Sequence, residues 1–383
     1  MKRTKATPVL DWFRKTAVDI ENEEVRQFKA NGGKVVGCLD PDTPLEILEA
    51  AGVMTYALRG TGTDGTELAD AYFKQLTCEY TRAIFNQILD TQYKFLDGAV
   101  FYNNCDHQRR IFDNWIEFVK GSPAYSFFYL PKKRSESAYD FYRKEINGLV
   151  AKTEERFGVK ITPEKLLAAI RESNRSRRLI SALYDLRKGD DVYIDGAEIA
   201  DVLMTIRSVP RKVANDKLEA LIAELKAGGE YVRPKYRLMF ATHHADRSDL
   251  SEVLESEDAM IVTDSLVAGV WTAGVMIPEE GDPLENIKHF YFWDRTPMPR
   301  VFGTQDERLA HYVQVMKEFN AQGIISARVA FCDLWAFEQF MLLDYLKEQG
   351  VPHLQLEVGY ILTGEGQLRT RLQAFLESLP ARA

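Results

Sequence analysis

Short, continuously apolar runs alternate with amphipathic stretches along most of this chain, and the alternation predicts its architecture. The first thirty residues carry Trp12, Phe13, Val18 and Ile20 among charges and read as helix. Lys34-Val35-Val36-Gly37-Cys38-Leu39 is apolar after its lysine, the pattern of a strand buried on both faces. Thr43-Pro44-Leu45-Glu46 then reads as a helix start, with Thr43 as the cap, Pro44 in the first turn and Glu46 completing a capping box. Residues 53–58, 99–102 and 126–130 read as further strands, and helical spacing covers 67–76, 79–89 and 108–118 between them.

From residue 135 to about 228 the strand signal disappears and four helical stretches follow one another, the second opened by Thr162-Pro163. The alternation resumes with apolar runs at 236–241, 259–263, 324–331 and 353–358 and helices between them. Strands alternating with helices imply right-handed crossovers and parallel pairing. The expected fold is therefore α/β, with two doubly wound, mostly parallel-sheet domains facing across a cleft and helices before and between them. The expected division is an N-terminal α/β domain over 1–134, a helical segment over 135–228 and a C-terminal α/β domain over 229–383.

Composition narrows the function. With 45% hydrophobic and 28% charged residues, the 383-residue chain is globular. A net charge of −8 argues against nucleic-acid binding, which needs a basic face. The basic start Met1-Lys2-Arg3-Thr4-Lys5 leads into Asp11, Arg14 and Lys15 rather than an apolar segment, so no secretion signal is expected. The longest weakly polar run, 265–278, is too short to span a bilayer, and a cytoplasmic protein without membrane contact is the expectation.

The four cysteines, Cys38, Cys78, Cys105 and Cys332, are too few and too far apart for a disulfide framework, and no two form a C-x-x-C pair. Any metal site must be assembled by the fold. Cys105-Asp106 and Cys332-Asp333 each follow the third strand of a half and precede a helix. Ligands of open α/β sheets bind outside the carboxyl ends of the strands, and a helix N-terminus favours a thiolate. Cys78 also stands where a helix begins. Three thiolates suit zinc with a further ligand such as His107, or an iron–sulfur cubane, and spacing leaves both open. The ordinary alternative for each is a small buried apolar residue.

Gly60-Thr61-Gly62-Thr63-Asp64-Gly65 spells a dinucleotide fingerprint, but it follows the second strand, and the region where an acidic strand end should bind ribose is helical. No Walker A sequence is present, and no bound nucleotide is expected in this chain. Basic clusters at Lys132-Lys133-Arg134 and at Arg175, Arg177 and Arg178 suit either solvated faces or the phosphates of a CoA. His243-His244 follows a strand at the cleft edge of the second half.

Taken together, these residues give a sequence that resembles the cluster-binding subunits of the 2-hydroxyacyl-CoA dehydratase and benzoyl-CoA reductase family. The resemblance is carried by Val36-Gly37-Cys38, by Thr43-Pro44-Leu45-Glu46-Ile47 through Ala50-Ala51-Gly52, and by Cys78 and Cys105-Asp106. Glu172-Ser173-Asn174-Arg175 and Arg369-Thr370-Arg371-Leu372-Gln373-Ala374-Phe375 extend it over nearly the whole chain. It implies one 4Fe-4S cluster per chain on Cys78, Cys105 and Cys332, with the fourth iron left to another ligand or to substrate. It also implies a homologous cluster-binding partner subunit, an ATP-hydrolysing iron–sulfur activator, ferredoxin as upstream donor and an acyl-CoA substrate. The segment Cys105-Asp106-His107-Gln108-Arg109-Arg110-Ile111-Phe112-Asp113-Asn114-Trp115 looks most like the smaller (gamma, C) subunit of benzoyl-CoA reductases, which implies ATP-driven reduction of benzoyl-CoA to a cyclic dienoyl-CoA. The alternatives are a (R)-2-hydroxyacyl-CoA dehydratase acting through a ketyl radical, a non-catalytic iron–sulfur relay, or a nicotinamide-dependent dehydrogenase resting on the Gly60–Gly65 loop. His107 and Cys38 are the titratable residues expected to serve catalysis.

Overall fold

The computed structural model describes residues 7–379 except 40, 229, 243–246, 257 and 267–268, so the His243-His244 pair and Gly229 lie outside the described residues. Among the described residues, eight strands form two four-stranded sheets. The first has β1 (Val35–Cys38), β2 (Met54–Ala57), β3 (Gly98–Tyr102) and β4 (Ala124–Phe128); the second has β5 (Tyr236–Ala241), β6 (Ala259–Asp264), β7 (Gly323–Val329) and β8 (His353–Val358). Their orders are β2-β1-β3-β4 and β6-β5-β7-β8, and every pairing is parallel. The strands β1, β3 and β6 are buried along their whole length, which is why the sequence shows them as apolar runs without alternation. Both orders change direction beside the first strand of the sheet, leaving a crevice at the carboxyl ends of β1 and β3 and another at β5 and β7.

The helices Glu136–Phe157, Pro163–Asp185, Gly196–Ile206 and Arg211–Gly228 fill the chain between the sheets. Packing crosses between the halves at several places. Leu10 and Phe13 of the first helix join a core with Met239, Met260 and Ile324 of the second sheet. Ile277, Ile287, Phe290 and Phe292 pack into the core of the first sheet. Among the described residues no helix is long and apolar enough to cross a membrane.

Three local expectations change. Residues 7–30 form two helices, Pro8–Val18 and Glu23–Ala30, where one helix was expected, the second capped by Asn22 accepting from Val25 N at 3.1 Å. The helix expected over 67–76 stops at Asp70, and Tyr72 and Phe73 instead stack edge-on against Phe85, with ring centroids at 5.6 and 5.3 Å. The capping box at Thr43 does not form: the Thr43 hydroxyl donates to Leu39 O at 2.8 Å, and Glu46 is buried in an ion pair described below.

One buried carboxyl makes stability pH-dependent. Asp201, on the helix Gly196–Ile206, is 8% exposed. Burial first, and then the charge of Glu252, push its pKa up to about 7 against the offsetting hydrogen bond of Ser248. The folded chain therefore holds a proton that the unfolded chain releases near 3.8. This contribution to stability is complete below about pH 4 and is lost as pH rises through 7. The thermal midpoint is expected to fall between pH 5 and 8, and Asp201→Asn to remove most of that slope. An unchanged slope in the variant would assign the titration to other groups.

Candidate functional site

Three of the four cysteines sit at helix starts around the carboxyl ends of β3 and β7. Cys105 follows β3 and caps the helix Asp106–Phe118, its sulfur accepting from Gln108 N at 3.4 Å and also from the His107 backbone. Cys332 follows β7 at the start of the helix Asp333–Glu348. Cys78 precedes the helix Glu79–Leu89 and lies 3.2 Å from the Thr81 hydroxyl. The thiols feel one another. Burial, with a smaller contribution from a charge on Cys78, pushes Cys105 up to about 12. Cys332 is raised by burial and then by both Cys78 and Cys105, and Cys78 mainly by burial. Three thiols from two domains are thus within one another's electrostatic reach, in surroundings that disfavour their charge. Among the described residues no three His, Cys, Asp or Glu side chains close on a single metal ion.

The surrounding residues hold this arrangement. His107 Nδ1 accepts the Cys78 backbone N–H at 3.3 Å, tying the Cys78 and Cys105 segments together. With Nδ1 engaged as an acceptor, a neutral His107 ring carries its proton on Nε2. Across the cleft, Glu79 Oε2 accepts from Ile361 N at 3.0 Å, and Tyr80 meets Tyr360 with ring centroids 5.4 Å apart. Ala83, Val329 and Tyr360 form a small core there. Gly60 belongs to this contact: a Cβ on it would fall 2.6 Å from Ala83 Cβ and 2.8 Å from Tyr360 Cε1. The loop that spells a dinucleotide fingerprint therefore leads into a four-residue helix and lies where the two halves touch.

Phe331, immediately before Cys332, has φ of 63° and is half exposed. A bulky residue in the left-handed region is strained, and such strain collects at functional turns. Cys38 stands apart from the trio. It ends β1 inside the first sheet, paired in register with Ala57 and Val100, and its sulfur is 3.6 Å from Tyr56 O.

The sequence segments around Glu46 and Ser173 converge in space. Glu46 Oε1 accepts from Arg177 Nη2 at 2.9 Å and from the Ser173 hydroxyl, and Glu46 Oε2 accepts from the Tyr291 hydroxyl at 3.0 Å. Burial would raise the Glu46 pKa, but Arg177 and Arg211 outweigh it and hold the carboxyl below its ordinary value. Its neighbour Glu49 pairs with Arg211 at 2.7 Å, yet burial prevails there and raises its pKa. These groups line a cavity of about 120 Å³ between the first sheet, the helix Pro163–Asp185 and the π-helical turn Phe290–Asp294. Arg177, expected to face solvent or phosphate, is therefore a buried structural partner, and no local pattern announces a pairing across 131 residues.

Comparison with known proteins places this geometry. The family described as 2-hydroxyglutaryl-CoA dehydratase, D-component, matches residues 42–379. The (R)-phenyllactyl-CoA dehydratase beta subunit of Clostridium sporogenes is 24% identical, with 93% of this chain and 94% of that protein covered. The C subunit of benzoyl-CoA reductase from Thauera aromatica is also 24% identical, over 88% and 89% of the two chains. The beta subunit of (R)-2-hydroxyglutaryl-CoA dehydratase from Acidaminococcus fermentans is 25% identical, over 92% and 94%.

Proposed function

Because the chain belongs to the 2-hydroxyglutaryl-CoA dehydratase D-component family, whose match covers most of its length, we propose that it is the cluster-holding subunit of an enzyme that delivers electrons to an acyl-CoA thioester. The observation that carries this reading is the meeting of Cys78, Cys105 and Cys332 from two domains, each at a helix start and each within the others' field. Three cysteine ligands suit a 4Fe-4S cubane with one iron left open, and the family match supports that choice over a single zinc ion. When bound, such a cluster supplies single electrons at low potential.

The chain's own residues have definite tasks in this scheme. Backbone N–H groups of His107 and Gln108 donate to the Cys105 sulfur and favour its charged form. The Tyr80–Tyr360 and Glu79–Ile361 contacts fix the two domains so that their thiols stay opposed. His107 holds a proton at Nε2 beside the cysteines and is the candidate donor to a reduced acyl group. Cys38 is the second candidate, with a thiol directed at the sheet backbone.

The proposed substrate is benzoyl-CoA, reduced on its ring by two electrons and two protons to a cyclic dienoyl-CoA. The likeness of residues 105–115 to benzoyl-CoA reductases and the Thauera relative support it. The dehydratase reading is supported by the phenyllactyl and hydroxyglutaryl relatives, and the substrate would then lose water from a (R)-2-hydroxyacyl-CoA. In either case we propose that the chain works in the cytoplasm with a homologous cluster-bearing partner, an ATP-hydrolysing activator and ferredoxin as the upstream donor. The anaerobic complex, supplied with activator, ATP and reductant, is expected to turn over benzoyl-CoA. Turnover of (R)-phenyllactyl-CoA or (R)-2-hydroxyglutaryl-CoA without benzoyl-CoA reduction would replace the reductase with the dehydratase.

A further inference from the structure

Cys78 differs from the other two site cysteines in the side chain that lies against its sulfur. Each of the three stands immediately before a helix, and the third residue of the first turn is placed to reach back to it. For Cys78 that residue is Thr81, whose hydroxyl oxygen is 3.2 Å from the sulfur. Thr81 is fully buried, and its hydroxyl makes no other hydrogen bond among the described residues. At the corresponding place after Cys105, the Gln108 side chain turns to Asn104 and accepts from its Nδ2 at 2.7 Å. After Cys332 the place is taken by Trp335, which has no hydroxyl and packs into the core with Leu342 and Leu346. Of these three side chains, Thr81 is the one that meets its cysteine with a hydroxyl.

Other donors beside Cys78 are engaged elsewhere. Its own backbone N–H donates to His107 Nδ1 at 3.3 Å. The Arg82 guanidinium, next along the helix, donates to Asp70 at 2.6 Å, to the Thr66 hydroxyl at 3.0 Å and to Thr77 O at 3.2 Å. Between a free thiol and a hydroxyl either atom can donate. A sulfur bound to metal has no hydrogen to give, so the hydroxyl must then give its own. Such a bond strengthens as negative charge on the sulfur grows, and it therefore favours the reduced form of a redox centre that the sulfur holds. Cys78 is 4% exposed, so little water competes for the sulfur and the bond acts at low local dielectric.

We propose that Thr81 raises the reduction potential of the iron–sulfur cluster by donating its hydroxyl hydrogen to the Cys78 sulfur. This rests on the cluster reading above. Thr81 acts through Cys78, as a positioning residue, and sets how strong a reductant must be to charge the chain with an electron.

The test is a redox titration of the full, cluster-loaded chain under anaerobic conditions, followed by electron paramagnetic resonance. Thr81→Val removes the hydroxyl at nearly constant volume, and Thr81→Ala removes the methyl group with it. Both should keep about four iron atoms per chain. Both should lower the midpoint potential, with the reduced-to-oxidised ratio at a fixed poise falling about tenfold, or about 59 mV for one electron. Thr81→Ser keeps the hydroxyl and should hold the parent potential. Equal or higher potentials in the valine and alanine variants overturn the proposal and leave the cluster reading intact. A serine variant shifted as far as the alanine one assigns the effect to packing of the methyl group and overturns it as well. If the valine and alanine variants both lose iron or fail to fold, the hydroxyl holds the site together and does not tune it, and the proposal falls. If the parent chain takes up no iron, the cluster reading itself fails and the proposal goes with it.

Discussion

Alanine at Cys78, Cys105 or Cys332 is expected to reduce bound iron and sulfide from about four each per chain to near zero, whereas alanine at Cys38 should leave both unchanged. A site with three protein ligands has none to spare, and the three come from separate helices, so no neighbouring thiol can substitute. Burial and mutual repulsion keep the metal-free thiols protonated, so loading the site must release protons and depends on all three sulfurs acting together. Cys38 lies inside the first sheet with its sulfur on the Tyr56 carbonyl. Iron and sulfide analysis under anaerobic conditions, with visible absorption and electron paramagnetic resonance after reduction, reads the result. Cys105→Ala also removes a helix cap, at a cost of about 1 kcal/mol. Cys105→Ser keeps a capping oxygen while changing the ligand, and it should lose the cluster while keeping the thermal midpoint of the cluster-free parent. A full complement of iron in any one of the three alanine variants, or stoichiometric zinc in the parent protein, would sink the assignment.

Much of this was legible in the sequence because buried parallel strands leave a plain trace. The apolar runs at 99–102 and 324–331 correspond to β3 and β7, and their placement alone puts Cys105 and Cys332 at strand ends. The spacing of Cys78 before a helix was equally readable. Other features left no local signal. Thr43 and Glu46 spell a capping box, but a carboxylate that can reach Arg177 in the interior gains more than one that bonds a helix terminus exposed to water, so tertiary structure overrides the motif. Tyr72 and Phe73 continue a helical pattern and are instead drawn off it by Phe85. The pairing of Asp42 with Arg295 and Arg300 joins loops about 250 residues apart, and no window of sequence distinguishes those arginines from the solvated ones. Helix and strand periods are written locally, while the choice of which charges to bury is made by the assembled fold.

That choice can be tested at Glu46, where Glu46→Gln is expected to cost about 3–5 kcal/mol, a large share of the roughly 5–15 kcal/mol that stabilises an ordinary domain. Arg177 is 9% exposed, and its guanidinium donates to Ser173, to Asn174 and to the carboxylate, with its face 4.5 Å from the Phe290 ring centroid. Ser173 and Asn174 are neutral, so removing the Glu46 charge leaves a buried cation without its nearest anion. The Tyr291 hydroxyl would at the same time exchange a charged acceptor for a neutral one. The thermal midpoint should fall by on the order of 10 °C. Arg177→Met on the Glu46→Gln background should recover most of the loss, because it removes the stranded charge and keeps an apolar chain against Phe290. If the double variant were as unstable as the sum of the two single ones, the pair would be uncoupled and the stabilisation would belong to packing alone. Iron content should stay unchanged in Glu46→Gln at temperatures where the variant is folded, since the pair holds the helix Pro163–Asp185 against the first domain and does not touch the cysteines. Early loss of iron on heating would instead show that this contact also governs how the two thiol-bearing domains face each other.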